Sequence, residues 1–205
     1  MIDLYAWGTP NARKVSIALE ELLIPFKVHM VNITEGEQFR NNFLELNPNN
    51  KIPVIVDPQG PQGKAITLFE SGAILIYLAD KTGKLLPVSG AERHQTIQWL
   101  MFQMAGIGPM FGQTHHFRRN APHETYGLDR YTKETHRLYK VMDTRLGKSE
   151  YVAGSQYSIA DIAIYPWVAR YGLHQIEWDD VPNVKRWYDS IGSRPAVQRG
   201  MEILP

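Results

Sequence analysis

The sequence contains no cysteine, which removes disulfides, thiolate zinc sites and every reaction that would run through a thiol of the protein itself. Any sulfur chemistry must therefore use a sulfur carried by a ligand. An excess of charge of one sign is also lacking. Lys and Arg number 22 against 21 Asp and Glu, a formal net charge of +1, so no whole-chain field draws in nucleic acid or an anionic membrane, and neither is expected as a partner. A charged ligand has to be gripped locally. No stretch reaches the roughly 18 uninterrupted apolar residues of a membrane-spanning helix, and the opening Met-Ile-Asp-Leu-Tyr carries an acid where a signal sequence carries a basic flank. Cytoplasmic residence is the expectation. A metal is not expected either: His115 and His116 are adjacent and diverge on a helix, and no pair among the seven histidines has ligand spacing beside a carboxylate motif. Gly106-Ile-Gly108-Pro109 lacks the preceding strand and the Lys-Ser/Thr ending of a phosphate loop.

What is present is a chain of 205 residues, 43% of them hydrophobic, enough for a buried core in one large domain or two modest ones. Ile2, Leu4 and Ala6 alternate with Asp3, Tyr5 and Trp7 as a short strand, and Gly8-Thr9-Pro10-Asn11 is dense in turn formers. Val15, Ala18, Leu19 and Leu22 then recur at three and four residues, the stripe of a helix that stops before Pro25. Phe26 to Val31 alternates again, and a crossover of this length makes that strand parallel to the first. Gln38 to Leu46 is weakly helical. Lys51 to Val56 and Ala65 to Phe69 are strands joined by a turn at Pro58 to Gly63, hence an antiparallel hairpin. Ser71 opens an apolar helix, closed by Thr82-Gly83 and followed by Pro87.

The order is thus βαβ, a short helix, then ββα. After about Ser89 the patterns are helical throughout, which sets one domain at 1–83, a linker at 84–90 and an all-helical domain at 91–205. Leu128, Tyr131, Thr135, Leu138 and Met142 mark one long helix running toward Gly147, and Gly106, Gly108 and Pro109 end or bend the helix before it. Ser158-Ile-Ala-Asp161 reads as a capping box with Tyr157 and Ile162 as its hydrophobic staple. Trp99, Trp167, Trp178 and Trp187 read as packing residues.

Taken singly, the residues that stand out each have a plain structural reading. Thr9-Pro10-Asn11 can be an N-cap turn. Pro53 can be an ordinary trans proline at a strand entry, since only about 5–6% of X–Pro bonds in folded proteins are cis. Ser71 can cap its own helix with Glu70 as a favourable acid beside it, and Arg130 can be a solvated charge on a long helix.

In combination they resemble the soluble glutathione transferases. The resemblance covers the whole chain and rests on Ile52-Pro53, on Phe69-Glu70-Ser71-Gly-Ala-Ile-Leu, on the capping box at Ser158 and on Ser193-Arg-Pro-Ala-Val. It implies a thioredoxin-like α/β domain followed by an all-α bundle, with glutathione, reduced or oxidised, as the bound cosubstrate and a homodimer as the assembly. Within the family, Thr9-Pro10-Asn11, Pro48-Asn-Asn-Lys-Ile-Pro53 and Gly112-Gln-Thr-His-His-Phe117 resemble the bacterial nu class, whose members are associated with glutathione-dependent disulfide reduction.

The site residues follow from that resemblance. Ile52 would pair with the cysteinyl part of glutathione across a cis Pro53, whose geometry turns the N–H and C=O of the preceding residue outward. Glu70 and Ser71 would hold the γ-glutamyl ammonium and carboxylate, the latter at a helix N-terminus. Gln38 and Lys51 would reach the glycyl end, and Arg130 would reach across a dimer. Thr9 and Asn11 would stabilise the thiolate as donors, since neither can act as a base. The chain departs from classes that place a Tyr near the end of the first strand, or a Ser or Cys at the turn after it, because Tyr5 lies within the strand. Three functions remain open: disulfide reduction, conjugation of glutathione to an electrophile, and glutathione binding without catalysis.

Overall fold

The computed structural model describes residues 1–205. Four strands, β1 (Ile2–Ala6), β2 (Phe26–Met30), β3 (Val54–Asp57) and β4 (Ile66–Phe69), form a mixed sheet in the order β2-β1-β3-β4. β1 and β2 are parallel, whereas β3 runs antiparallel to both β1 and β4. The helices α1 (Pro10–Glu21), α2 (Asn41–Leu44) and α3 (Ser71–Thr82) complete the βαβ-α-ββα unit. This is the thioredoxin-like arrangement expected.

Local chemistry accounts for each boundary. In β1, Ile2, Leu4 and Ala6 are buried and alternate with partly exposed neighbours, as a period-two pattern requires. Thr9 caps α1, its Oγ1 accepting from the Ala12 N–H at 3.3 Å, and Pro10 occupies the first helical position, where its missing N–H costs nothing. α3 ends at Gly83, whose φ of +67° is the left-handed conformation that glycine adopts without steric penalty. On one face of the sheet, Val31, Phe43 and Val54 form a small apolar cluster with Tyr5, Leu46 and Ile52 packed against it.

Two compact units emerge: Met1–Lys84 together with Pro195–Pro205, and Leu85–Arg194. This differs from the expected division at both ends of the helical domain. Residue 85, expected in a linker, already belongs to the helical unit, where its carbonyl accepts from the Ile159 N–H at 3.0 Å. Residues 195–205, expected in the helical domain, return to the first unit as α10 (Pro195–Glu202), which packs along α1. There Ser16 Oγ donates to the Gly200 carbonyl at 2.6 Å and Arg199 pairs with Glu20 at 2.6 Å. Helical periodicity is the same whichever partner a helix buries against, so the sequence pattern could not assign α10.

The helical unit comprises α4 (Gly90–Phe102), α5 (Gly108–Asn120), α6 (Thr125–Leu146), α7 (Ile159–Val168), α8 (Tyr171–His174) and α9 (Pro182–Gly192). Between α4 and α5 the chain does not stop. Gln103–Ile107 forms a π-helical segment with helical dihedrals on either side, a widened turn in keeping with Gly106, Gly108 and Pro109. α6 is the long helix expected, with Thr135, Leu138, Tyr139, Met142 and Leu146 buried. The capping box at α7 is present: Ser158 Oγ accepts from the Ala160 N–H at 3.3 Å and Asp161 Oδ2 accepts from the Ser158 N–H at 3.0 Å. Asp161 Oδ1 accepts two more bonds, from the Val152 N–H and the Trp187 indole N–H.

Candidate functional site

The register of the sheet gathers three separate segments at one end. Val54 lies opposite Tyr5 on one side and opposite Phe69 on the other. Because β3 is antiparallel to both neighbours, its N-terminal end sits beside the C-terminal ends of β1 and β4. The chain beyond β1 is Gly8-Thr9, leading into α1. The chain before β3 is Ile52-Pro53, and the chain after β4 is Glu70-Ser71, leading into α3. The parallel crossover and the hairpin thus bring five candidate residues, Thr9, Ile52, Pro53, Glu70 and Ser71, to one edge of the sheet.

Each segment is held by identifiable contacts. The Ile52–Pro53 peptide is cis, in agreement with the expectation. The loop before it is fixed by Asn47, which is buried. Its Nδ2 donates to the Lys51 carbonyl at 2.7 Å and its Oδ1 accepts from the Asn49 N–H at 2.9 Å. Lys51 itself is exposed. Gln38 turns its amide toward the Ile33 carbonyl, at 3.4 Å.

Glu70 is the cap residue of α3 and adopts φ +68°. A side-chain-bearing residue holds such a conformation at a cost of about 1–3 kcal/mol, and residues of this kind cluster at functional sites. The Glu70 side chain makes no capping hydrogen bond to α3, whose start carries the positive end of the helix dipole. Ser71 is the first helical residue rather than the cap and is buried.

Thr9 carries out the capping role that its turn suggested, and this leaves it chemically competent. A hydroxyl that accepts from the Ala12 N–H still has its own hydrogen to donate. Asn11 lies in the first turn of the same helix.

Lys14 was not singled out in the sequence. It is 1% exposed, and its Nζ donates to Ser71 Oγ at 3.2 Å. Burial pushes its ammonium down to about 7, while the field of Glu70 pulls it back up. The signal that marks it is phase: Lys14 stands four residues before Ala18, on the apolar stripe of α1, where a solvated lysine has no place.

In the helical unit, Arg130 is exposed on α6 beside a surface depression to which Met110, Tyr126 and Glu134 contribute. Of the adjacent pair, His116 is exposed, whereas the partly buried His115 joins a network around the buried His174. His115 Nε2 lies 2.7 Å from His174 Nε2, and Tyr139 Oη lies 2.8 Å from His174 Nδ1. Burial first holds both imidazoles below their ordinary value, followed by Arg170, Arg119 and Arg118 at His115 and by His115, Arg118 and Arg170 at His174. No group of three or more His, Asp or Glu side chains is arranged to hold a metal ion.

Comparison with known proteins matches the same two halves. Residues 9–81 fit the model of the glutathione S-transferase N-terminal domain, and residues 110–195 fit that of the C-terminal domain. The chain is 47% identical over 203 residues to the disulfide-bond oxidoreductase YfcG of Escherichia coli (strain K12), covering 98% of this chain and 94% of that protein. It is 40% identical to the disulfide-bond oxidoreductase YghU of the same strain, covering 97% and 73%. Among solved structures, a glutathione transferase family member from Pseudomonas fluorescens pf-5 with two glutathione bound superposes with a TM-score of 0.94 at 49% identity, covering 98% of this chain and 92% of that one. A glutathione transferase from Pseudomonas putida, with one glutathione disulfide bound per subunit, gives 0.94 at 46% identity, covering 98% and 91%. With the sheet register, the cis proline and both domain matches in agreement, this chain belongs to the glutathione S-transferase family.

Proposed function

We propose that the protein is a glutathione-dependent disulfide-bond reductase of the nu-class type, acting as a cytoplasmic homodimer, in which the attacking thiolate belongs to bound glutathione. The observation that carries this reading is the absence of cysteine in a chain so similar to disulfide-bond oxidoreductases. Thiol–disulfide exchange needs an attacking thiolate and a resolving thiol, and a protein with neither must take both from its ligand.

The residues divide the work. Ile52, with Pro53 beside it, offers a backbone edge to the cysteinyl part of glutathione. Glu70 faces the γ-glutamyl ammonium, and Ser71 at the start of α3 meets the carboxylate. Gln38 and Lys51 serve the glycyl end, with Arg130 supplied from the partner subunit. Thr9 and Asn11, at the positive end of α1, donate to the sulfur. A free thiol near pKa 8.5 is mostly protonated at neutral pH, and such donors favour its ionised form.

The thiolate then attacks one sulfur of the substrate disulfide, forming a mixed disulfide and releasing the first substrate thiolate. A second glutathione attacks the glutathionyl sulfur and releases the other. Two glutathiones are oxidised to one glutathione disulfide, their two protons pass to the substrate thiols, and the protein remains covalently unchanged.

The test is turnover of a small model disulfide with glutathione, read as glutathione disulfide formed. A clear excess over the uncatalysed exchange is expected, and a rate equal to it would sink the reading. Conjugation uses the same thiolate, so an electrophile panel run in parallel separates the two. Glutathione binding with no turnover on either panel would point to a non-catalytic binding protein.

A further inference from the structure

The turn that aims Thr9 has a glycine at its centre. The Thr9 N–H donates to the Trp7 carbonyl at 2.6 Å, closing a three-residue turn about Gly8, and glycine leaves the backbone there freer than any other residue would. The restraint comes from residues 204–205. A Cβ at residue 8 would overlap the Pro205 carbonyl oxygen and lie 2.9 Å from the Pro205 carbonyl carbon, so this segment fills the space of the missing side chain.

Arg13 holds the segment in place. Its Nη2 donates to the Leu204 carbonyl at 3.3 Å and to the Pro205 carbonyl at 3.1 Å, while its buried Nε–H meets no acceptor. The two carbonyls therefore set the direction of the guanidinium. Leu204 is itself buried, and the bonds of Ser16 to Gly200 and of Glu20 to Arg199 anchor α10 along α1 before the chain reaches the turn. Arg13 stands four residues after Thr9, one turn along the same face of α1, and its N–H donates to the Thr9 carbonyl at 3.1 Å. The contacts close a ring: Gly8 to Thr9, Thr9 to Arg13 within α1, Arg13 to residues 204–205, and these back onto Gly8.

We propose that Arg13 is a positioning residue for the sulfur end of the site: by clamping Leu204 and Pro205 onto Gly8, it fixes the turn from which Thr9 presents its hydroxyl to the glutathione thiolate. This rests on the glutathione reading above. Arg13 acts through the turn and not by contact with the sulfur. A donor to an anion is effective when it is already aimed, and a small misplacement of such a group costs rate. Ile52, Glu70 and Ser71 lie on other segments, so loss of the clamp changes the state of the sulfur and leaves the grip on the rest of the tripeptide.

The experiment compares the full-length wild type with Arg13→Met and Arg13→Lys. Three quantities are read: ionisation of the bound glutathione thiol, by thiolate absorbance across pH; kcat/KM for a small model disulfide across pH; and the Kd of S-methylglutathione, which has no thiol. Arg13→Met should move the bound thiol about half a pH unit or more toward the free value of about 8.5 and shift the pH profile of kcat/KM the same way. The rate at pH 7 should fall about three- to tenfold, less than the roughly hundredfold cost of losing an oxyanion donor outright. S-methylglutathione should bind within about twofold of wild type, since contacts away from the sulfur are untouched. Arg13→Lys, whose ammonium can still reach the carbonyls, should restore most of the difference. Thermal unfolding checks each fold, and Gly8→Ala, which displaces the Pro205 carbonyl with Arg13 intact, supplies the same signature should Arg13→Met not fold. Thiol ionisation and pH profile unmoved in these variants, or S-methylglutathione binding weakened as much as the rate, overturns this inference alone. Failure of the wild-type protein to bind glutathione overturns the glutathione reading and this inference with it.

Discussion

Gly200 of α10 lies against Ile17 of α1 so closely that a Cβ at residue 200 would fall 2.6 Å from the Ile17 Cα. The obstacle is backbone, which cannot rotate aside as a flexible side chain can. This crossing ties the last helix to the one that carries Thr9, Asn11 and Lys14. Gly200→Ala should therefore destabilise the protein by about 1–2 kcal/mol, because overpacking outweighs the gain of about 1 kcal/mol in helix propensity. Urea unfolding reads this directly, and an unchanged or raised midpoint would show that the two helices separate without cost.

Asn47 is a second point of leverage, since its side chain holds the loop leading into Ile52-Pro53 through two bonds to backbone. Asn47→Ala removes the bonds to the Lys51 carbonyl and the Asn49 N–H, both only partly buried, at about 0.5–1.5 kcal/mol for each bond. The expected signature is weaker binding of glutathione at a loop that no longer presents Ile52 correctly. Binding as tight as in the wild type, with lowered stability, would confine Asn47 to a structural role.

The capping box of α7 makes a purely structural prediction. Ser158→Ala removes the cap and costs about 0.5–2 kcal/mol. Asp161→Asn is expected to cost more. Asp161 accepts from the Ser158 and Val152 N–H groups and from the Trp187 indole, and an amide must turn a donor toward one of those donors. Denaturant midpoints of the two variants give the order, and a smaller loss for Asp161→Asn would contradict it.

Acid stability should report the buried imidazoles. His115 and His174 are both held below their ordinary value, by burial first, then by Arg170 and its neighbouring arginines at His115 and by His115 and Arg118 at His174. Each therefore binds fewer protons folded than unfolded, and stability rises with pH where the unfolded chain loses those protons. The contribution is whole above about pH 6.5 and is lost as pH falls below it, at up to about 1.4 kcal/mol per pH unit for each group, and less for the partly exposed His115. His174→Gln should flatten the fall in unfolding free energy between about pH 6.5 and pH 4. A slope unaffected by that substitution would mean that other groups carry the acid sensitivity.

Periodicity and turn chemistry by themselves determined the order of the elements, the antiparallel hairpin, the long α6 and the cap of α7, because each depends on residues within a few positions of one another. The absence of cysteine determined that any reactive sulfur belongs to a ligand. The tertiary structure alone decided the rest. Which unit α10 joins depends on how Gly200 meets Ile17, and a helical stripe carries no record of its partner. The convergence of Thr9, Pro53 and Ser71 depends on Val54 pairing with Tyr5 and Phe69 at once, a matter of strand register across distant segments. The cis peptide before Pro53 and the burial of Lys14 against Ser71 are likewise tertiary outcomes. A proline is compatible with either isomer, and a lysine's flexible stem can lead to solvent or to a buried hydroxyl, so packing around them makes the choice.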